Sequence, residues 1–347
     1  MSLVAPSCYY NAEHDMKVVV HVDDFLCTGE KKDLRWLEIE LKKHFQLKSE
    51  ILGPDKGEVN ATGFLGRTIS WNDWGLTYSA DSKHVKILLK EWDLGFGKPV
   101  VSPGSKDDDV KEEDDRGVLL KPAEAKVYRR AAARLNYLAL DRPDIGFATK
   151  EIARCMANPR DVDGNLIKRV LRYLIGTPIC IYDYVWQQKQ NVLKVFADSD
   201  WAGCKRTRRS TSGGMIVNGK HLIQHWSSTQ AFVSLSSAEA ELNSANKGAA
   251  ETILIQRMSN SFNLHMDIIL FCDSSAATGA CHRQGVGKMK HLSCRQLWLQ
   301  EQVNSKNVKM EKVGRADNPS DLLTHHWTQS ESFQHLTPVS IRRPQVN

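Results

Sequence analysis

No stretch of this 347-residue chain is apolar over anything near the roughly 20 residues a membrane-spanning helix requires. The opening segment, Met1 to Asp15, has neither a basic start nor an apolar core, so no secretory signal is readable. An intracellular setting, cytoplasm or nucleus, and no membrane partner are therefore expected. Cysteines are few and scattered: eight of them, at 8, 27, 155, 180, 204, 272, 281 and 294, with no CxxC pair and no Cys/His zinc spacing. That pattern excludes a disulfide framework and a zinc module, and leaves core or surface thiols. Charge of one sign is also lacking. Lys and Arg number 47 against 41 Asp and Glu, and a net +6 is weak evidence for a nucleic-acid partner by itself. There is no internal repeat. What is present is ordinary globular material, 41% hydrophobic and 25% charged, long enough for about two domains.

The pattern along the chain divides it. Lys17 to His21 is β-branched, Val22-Asp23-Asp24 interrupts, and Phe25-Leu26-Cys27 resumes, which predicts strand, tight turn, strand. Leu34, Leu37, Leu41 and Phe45 repeat at helical spacing; short β-like runs follow from Gly63 to Tyr78, then a helix over 81–92. Seven of the nine residues from Asp107 to Asp115 are acidic, the mark of a solvated linker. Helices are predicted over 127–140, 145–156 and 165–175, separated by Arg142-Pro143 and Asn158-Pro159. From Val192 the pattern becomes α/β: three strands with a hairpin at Asn218-Gly219, a long helix from Ser236, a strand over 268–272, helices, a strand over 308–313, and a last helix at 319–325. The expected segments are 1–105, an acidic linker 106–120, a helical connector 121–185, an α/β domain 186–328, and a frayed tail 329–347.

Acids stand at telling places in the α/β part. Asp198 ends its first strand, and Asp273 follows the apolar run Ile268 to Cys272; strand ends are where sites of α/β sheets collect. Asp273 taken alone reads as a helix N-cap, the commoner role of an acid after a buried strand. Ser236 and Glu239 have capping-box spacing, so Glu239 is expected to serve the helix end. Glu241 lies on the side of Ala245 and Gly248, small residues that would let the helix approach the sheet. Asp321 begins the last helix, where a first-turn dipole partner is the bland reading. Four carboxylates at one point would repel strongly without cations. Hard oxygen donors suit Mg²⁺, with Mn²⁺ as substitute, and a two-metal cluster suits phosphoryl displacement.

Five segments, FADSDWAGCKRTRRSTSGG, HWSSTQAFVSLSSAEAEL, LFCDSSAATGA, GKMKHL and DNPSDLLTHH, occur in an order and spacing that resemble the type 1 ribonuclease H domain of copia-type LTR retrotransposon Pol proteins. The resemblance implies a mixed five-stranded sheet flanked by helices. It implies a metal cluster carried by Asp198, Glu241, Asp273 and Asp321, with Asp200 and Glu239 the weaker alternatives. It implies hydrolysis of the RNA strand of an RNA–DNA hybrid, sensed through its 2′-hydroxyls. Lys205, Arg206, Arg208 and Arg209 could hold phosphates, or simply form a solvated turn. Trp201 and Trp226 read as core residues first and stacking residues second. His291 matches a histidine of the family and receives no chemical role here. Some ribonucleases H place a histidine before the last aspartate; Val313 to Ser320 has none, so that help is expected to be absent.

The first half resembles the same proteins. His21-Val22-Asp23-Asp24 is similar to the Tyr-Val-Asp-Asp hairpin of a reverse-transcriptase palm, and FLGRTIS, YRRAAARLNYLALDRPDIGFA and IKRVLRYLIGT continue the match. About twenty residues precede the turn, so a palm remnant (1–105) short of a third metal-binding aspartate is expected, with Asp23 and Asp24 vestigial and no DNA synthesis. Its unpaired strand edges would be sticky. Three readings remain: a hybrid-specific endoribonuclease, a nucleic-acid-binding relic that does not cut, and a decayed reading frame.

Overall fold

A run of three valines, Val18 to Val20, forms the centre of the first sheet. A computed structural model of the chain describes residues 5–80, 82–95, 97–105, 117–287, 290–292 and 294–344. The acidic run 107–115, and Lys288 and Met289 of the GKMKHL segment, lie outside the described residues. Strands β1 (Cys8–Asn11), β2 (Met16–His21) and β3 (Asp24–Thr28) form an antiparallel sheet in that order. His21 pairs with Asp24, which leaves Val22 and Asp23 as a two-residue loop. Val22 has φ 55°, a left-handed conformation that costs a β-branched residue about 1–3 kcal/mol. Helix α1 (Lys31–Lys42) follows, with Leu34, Leu37 and Leu41 only half-buried.

The second sheet is assembled from three distant stretches. Strands β4 (Ala61–Phe64), β5 (Arg67–Asn72) and β6 (Gly75–Ala80) form an antiparallel meander. After α2 (Lys83–Glu91) come the connector helices α3 (Pro122–Ala139), α4 (Gly146–Arg154) and α5 (Gly164–Gly176). Pro122 at the first helical position and Glu124, whose carboxylate accepts from the Lys121 N–H at 3.1 Å, start α3. Strand β7 (Ile181–Val185) then pairs with β6.

The third region is the mixed sheet. It contains β8 (Val192–Ser199), β9 (Thr211–Asn218), β10 (His221–Thr229), β11 (Asp267–Cys272) and β12 (Lys309–Lys312), in the order β10-β9-β8-β11-β12. β8 is antiparallel to β9 and parallel to β11, which is parallel to β12. Helices α6 (Ser237–Ser261), α7 (Ser275–His282) and α8 (Cys294–Asn304) cover one face. A Cβ at Gly248 would meet Val195 Cγ2 at 3.2 Å, so α6 does lie as close to the sheet as its small residues allow.

Part of the opposite face of this sheet packs on the connector. Met215, Val217 and Leu222 share one core with α3, α4 and α5. Buried Lys150 of α4 donates to Thr211 Oγ1 at 2.8 Å, and Arg154 bonds Cys204. The expected frayed tail is corrected here. Helix α9 (Gln329–Leu336) is capped by Thr328, and β13 (Ile341–Arg342) pairs with β7. Leu336, Val339 and Ile341 are buried in the connector core, apolar contacts that composition alone concealed. The predicted last helix is a 3₁₀ turn over Pro319–Leu323. Among the described residues, no helix is long and apolar enough to cross a membrane.

Candidate active site

The parallel pairing of β8 with β11 sets the first two acids side by side. Phe196 is opposite Phe271, so two residues further on Asp198 and Asp273 come level at the carboxyl ends of their strands. Asp198 pairs across to Gly213 on β9. A Cβ at Gly213 would collide with Thr324 Cγ2 at 2.8 Å and the Ser320 carbonyl at 2.9 Å. Only glycine there admits the 319–323 turn, which brings Asp321 and Thr324 over the sheet. Asn318 fixes that turn by donating to the Ala197 carbonyl at 3.2 Å. From the other side, Ser236 caps α6 through its hydroxyl, and Ser244 of α6 donates to the Asp198 carbonyl at 2.7 Å. Glu241 is thereby held at the same strand ends.

Asp198 and Glu241 have hydrogen-bonded support. Thr324 Oγ1 donates to Asp198 Oδ2. Glu241 Oε1 accepts from Ser199 N at 3.3 Å and Ser199 Oγ at 3.2 Å, while Cys272 Sγ stands 3.6 Å from Oε2. Burial first, then the neighbouring Asp321 and Asp273, push the Asp198 carboxyl up to about 7 against the pull of Thr324. Burial, then Asp198 and Asp273, push Glu241 up to about 8. Burial also raises Asp273, with Arg315 opposing and Asp321 adding to it. The four acids therefore act on one another electrostatically, as a converging set of like charges must. Glu241, Cys272 and Asp273 each offer a ligand atom within 4.8 Å of the other two. A donor set rich in buried, mutually repelling carboxylates fits a hard divalent cation.

The alternatives are otherwise engaged. Asp200 accepts from the Thr211 hydroxyl at 3.0 Å and from its N–H, holding the loop after β8. Glu239 accepts from Leu235 N at 2.7 Å, His291 Nε2 at 2.8 Å and Gln296 Nε2 at 2.9 Å. Burial tends to raise Glu239, but those donors outweigh it and hold the carboxylate below its ordinary range. His291 is thus a brace for the start of α6.

Lys205, Arg206, Arg208 and Arg209 are all exposed on the loop between β8 and β9, next to the Asp198 strand end. Trp201, expected in the core, is 56% exposed, with only its indole N–H tied to the Ser234 carbonyl at 3.0 Å. Trp226 is half-buried against the α6 core, as expected. Two residues were missed from sequence. His325 Nε2 lies 3.7 Å and His335 Nε2 3.9 Å from Asp321 Oδ2. They approach from beyond the aspartate, one of them from the segment taken for a tail; the i,i+4 spacing of Asp321 and His325 was the only available signal. Asp23 and Asp24 stand exposed at the β2–β3 hairpin tip.

No protein-family model matches the chain. It is 28% identical over 320 residues to the retrovirus-related Pol polyprotein of transposon TNT 1-94 from Nicotiana tabacum, covering 88% of this chain and 23% of that protein. It is 29% identical over 332 residues to the Pol polyprotein of transposon RE1 from Arabidopsis thaliana, covering 94% and 22%. An uncharacterized mitochondrial protein of Arabidopsis thaliana is 34% identical over 238 residues, covering 68% of this chain and 92% of that one. The chain spans about a fifth of the length of the Pol polyproteins it matches. The foamy viral protease–reverse transcriptase, solved with an RNA/DNA hybrid, superposes with a TM-score of 0.50 at 13% identity, covering 86% of this chain and 36% of that one. That likeness is one of fold alone. Sequence identity over most of the chain makes it a homologue of the retrovirus-related Pol polyproteins of plant transposons.

Proposed function

We propose that the chain is a metal-dependent endoribonuclease that hydrolyses the RNA strand of an RNA–DNA hybrid. The observation that carries this reading is the meeting of Asp198, Glu241, Asp273 and Asp321, from four separate elements, in surroundings that raise three of them. These four would hold Mg²⁺, or Mn²⁺ in its place. Bound there, a cation pair supplies positive charge to the attacking and leaving oxygens of the phosphodiester. The chain's own part is to orient and to exclude. Thr324 and Ser199 fix the Asp198 and Glu241 carboxylates, and the Gly213 approach keeps Asp321 against the sheet. Lys205, Arg206, Arg208 and Arg209 would take backbone phosphates, which position a duplex without reading its sequence. A hybrid is also what the foamy viral protein of similar fold was solved with. Asp23 and Asp24, exposed on a hairpin, are given no part in DNA synthesis.

A second reading, a binding relic that grips a hybrid without cutting, is favoured by the basic loop, whose exposure does not depend on the acids. The test uses the full chain, because β7, α9 and the connector share a core with the mixed sheet. A labelled RNA–DNA hybrid is incubated with Mg²⁺, with EDTA, and with an Asp198→Asn variant in Mg²⁺. Cleavage of the RNA strand alone, lost in both controls, is expected. A folded, hybrid-binding chain that cuts with neither Mg²⁺ nor Mn²⁺ would leave the relic.

A further inference from the structure

The thiol of Cys272 stands inside the acid cluster, and the hydrolytic reading gives it nothing to do. Ile268, Leu270 and Cys272 alternate as the buried residues of β11 and face α6. A cysteine at such a position is ordinarily core packing. Cys272 is fully buried, yet its Sγ lies 3.6 Å from a carboxylate oxygen of Glu241. Asp273, the next residue, completes a set of one sulfur and two oxygens within 4.8 Å of one another. Donor atoms around a tetrahedral Zn²⁺ stand roughly 3.3–3.8 Å apart, from Zn–O and Zn–S bonds of about 2.0–2.3 Å. The set needs only a small contraction to reach that size. Asp273 is half-buried, which leaves an entry path on its side.

We propose that Glu241, Cys272 and Asp273 give the centre a second cation-binding mode, selective for sulfur-preferring divalent cations such as Zn²⁺ and Cd²⁺. The proposal rests on reading the acid quartet as a metal centre. Mg²⁺ takes oxygen donors and gains nothing from the thiol, whereas Zn²⁺ and Cd²⁺ bind thiolate strongly. On binding, the S–H bond breaks, the sulfur–metal bond forms, the proton passes to solvent, and no electron changes hands. A cation held this way occupies two of the four carboxylates and competes with Mg²⁺, so the centre is one that free zinc would block.

The test is spectroscopic and needs no hydrolysis. The full chain is titrated with Cd²⁺ and the ultraviolet thiolate-to-metal charge-transfer band is followed. Cys272→Ser and Cys294→Ser variants run beside it, the second removing an exposed thiol. The expected result is a band that persists in Cys294→Ser, disappears in Cys272→Ser, and requires at least about ten times more Cd²⁺ in Asp273→Asn, the loss usual when a metal site loses support. The Asp273→Asn arm keeps the thiol, so it still decides the matter if Cys272→Ser fails to fold. A band unchanged in Cys272→Ser, or no band from the folded chain at stoichiometric Cd²⁺, overturns the proposal. A Cys272-dependent band from a chain that does not cut a hybrid supports it while sinking the hydrolytic reading.

Discussion

Two groups of acids in this chain have different fates. Asp23 and Asp24 sit at the tip of β2–β3, in a sheet that contributes to neither hydrophobic core, beside Val22 at 82% exposure. Water surrounds them. Asp198 and Glu241 have the same chemistry but are 5% and 8% exposed, and their neighbours are other acids. A carboxylate on a hairpin has no stake in a cation until something else supplies more ligands. One buried among like charges carries an unmet electrostatic cost that a cation relieves. Val22 holds a left-handed φ of 55° at the turn, and the two acids there are exposed.

The sharpest way to break this contrast is by substitution. Asp273→Asn should lower RNA-strand cleavage by about 100-fold or more, since metal-derived charge stabilisation amounts to several kcal/mol and each ~1.4 kcal/mol is tenfold. The double variant Asp23→Asn/Asp24→Asn should leave it within about twofold, as solvated surface changes do. Gel-resolved cleavage rates of the two proteins decide it; equal losses would erase the distinction.

Acidity gives the next largest effect. Asp198 and Glu241 bind protons more tightly folded than unfolded, so the metal-free chain should lose stability as pH rises. The loss begins above the ordinary carboxyl range near 4 and is complete past about 7 for Asp198 and about 8 for Glu241. Thermal melting in EDTA should fall between pH 5 and pH 8, on the order of a few kcal/mol in stability, and Mg²⁺ should restore the value at pH 8. Asp198→Asn should melt higher than the parent at pH 8 without metal. A flat profile would mean that the acids are farther apart in solution.

The smallest effect concerns support. Thr324→Val keeps the shape beside Asp198 and removes the hydroxyl that holds it. Mg²⁺ affinity, measured by calorimetry, should weaken by about 10-fold, the lower end for a partner of a ligand.

Much of this was legible beforehand. The periodicity of Val192 to Ala197, the Asn218-Gly219 turn and the Ser236 cap set strands and helix within a residue or two of where they lie. Gly248 announced a close approach of helix to sheet, which occurs; the tighter approach at Gly213 was not foreseen. The tail was misread because residues 329–344 hold few apolar residues; Leu336, Val339 and Ile341 are buried only because β7 and the connector offer them a partner. Trp201 was misread for the opposite reason: an aromatic beside a strand usually finds a core, and this one meets a loop edge.

By itself the sequence determined which residues could carry chemistry and which elements would hold them, because caps, turns and hydrophobic periods act over a few residues. Its motifs, kept in order, also carried the likeness to retrotransposon Pol proteins. Whether those acids meet was decided by the tertiary structure alone. The parallel register of β8 with β11, the glycine-sized gap under the 319–323 turn and the burial of Cys272 against Glu241 join residues from 31 to 126 positions apart. Burial and mutual charge are properties of that joining, and no local pattern encodes them.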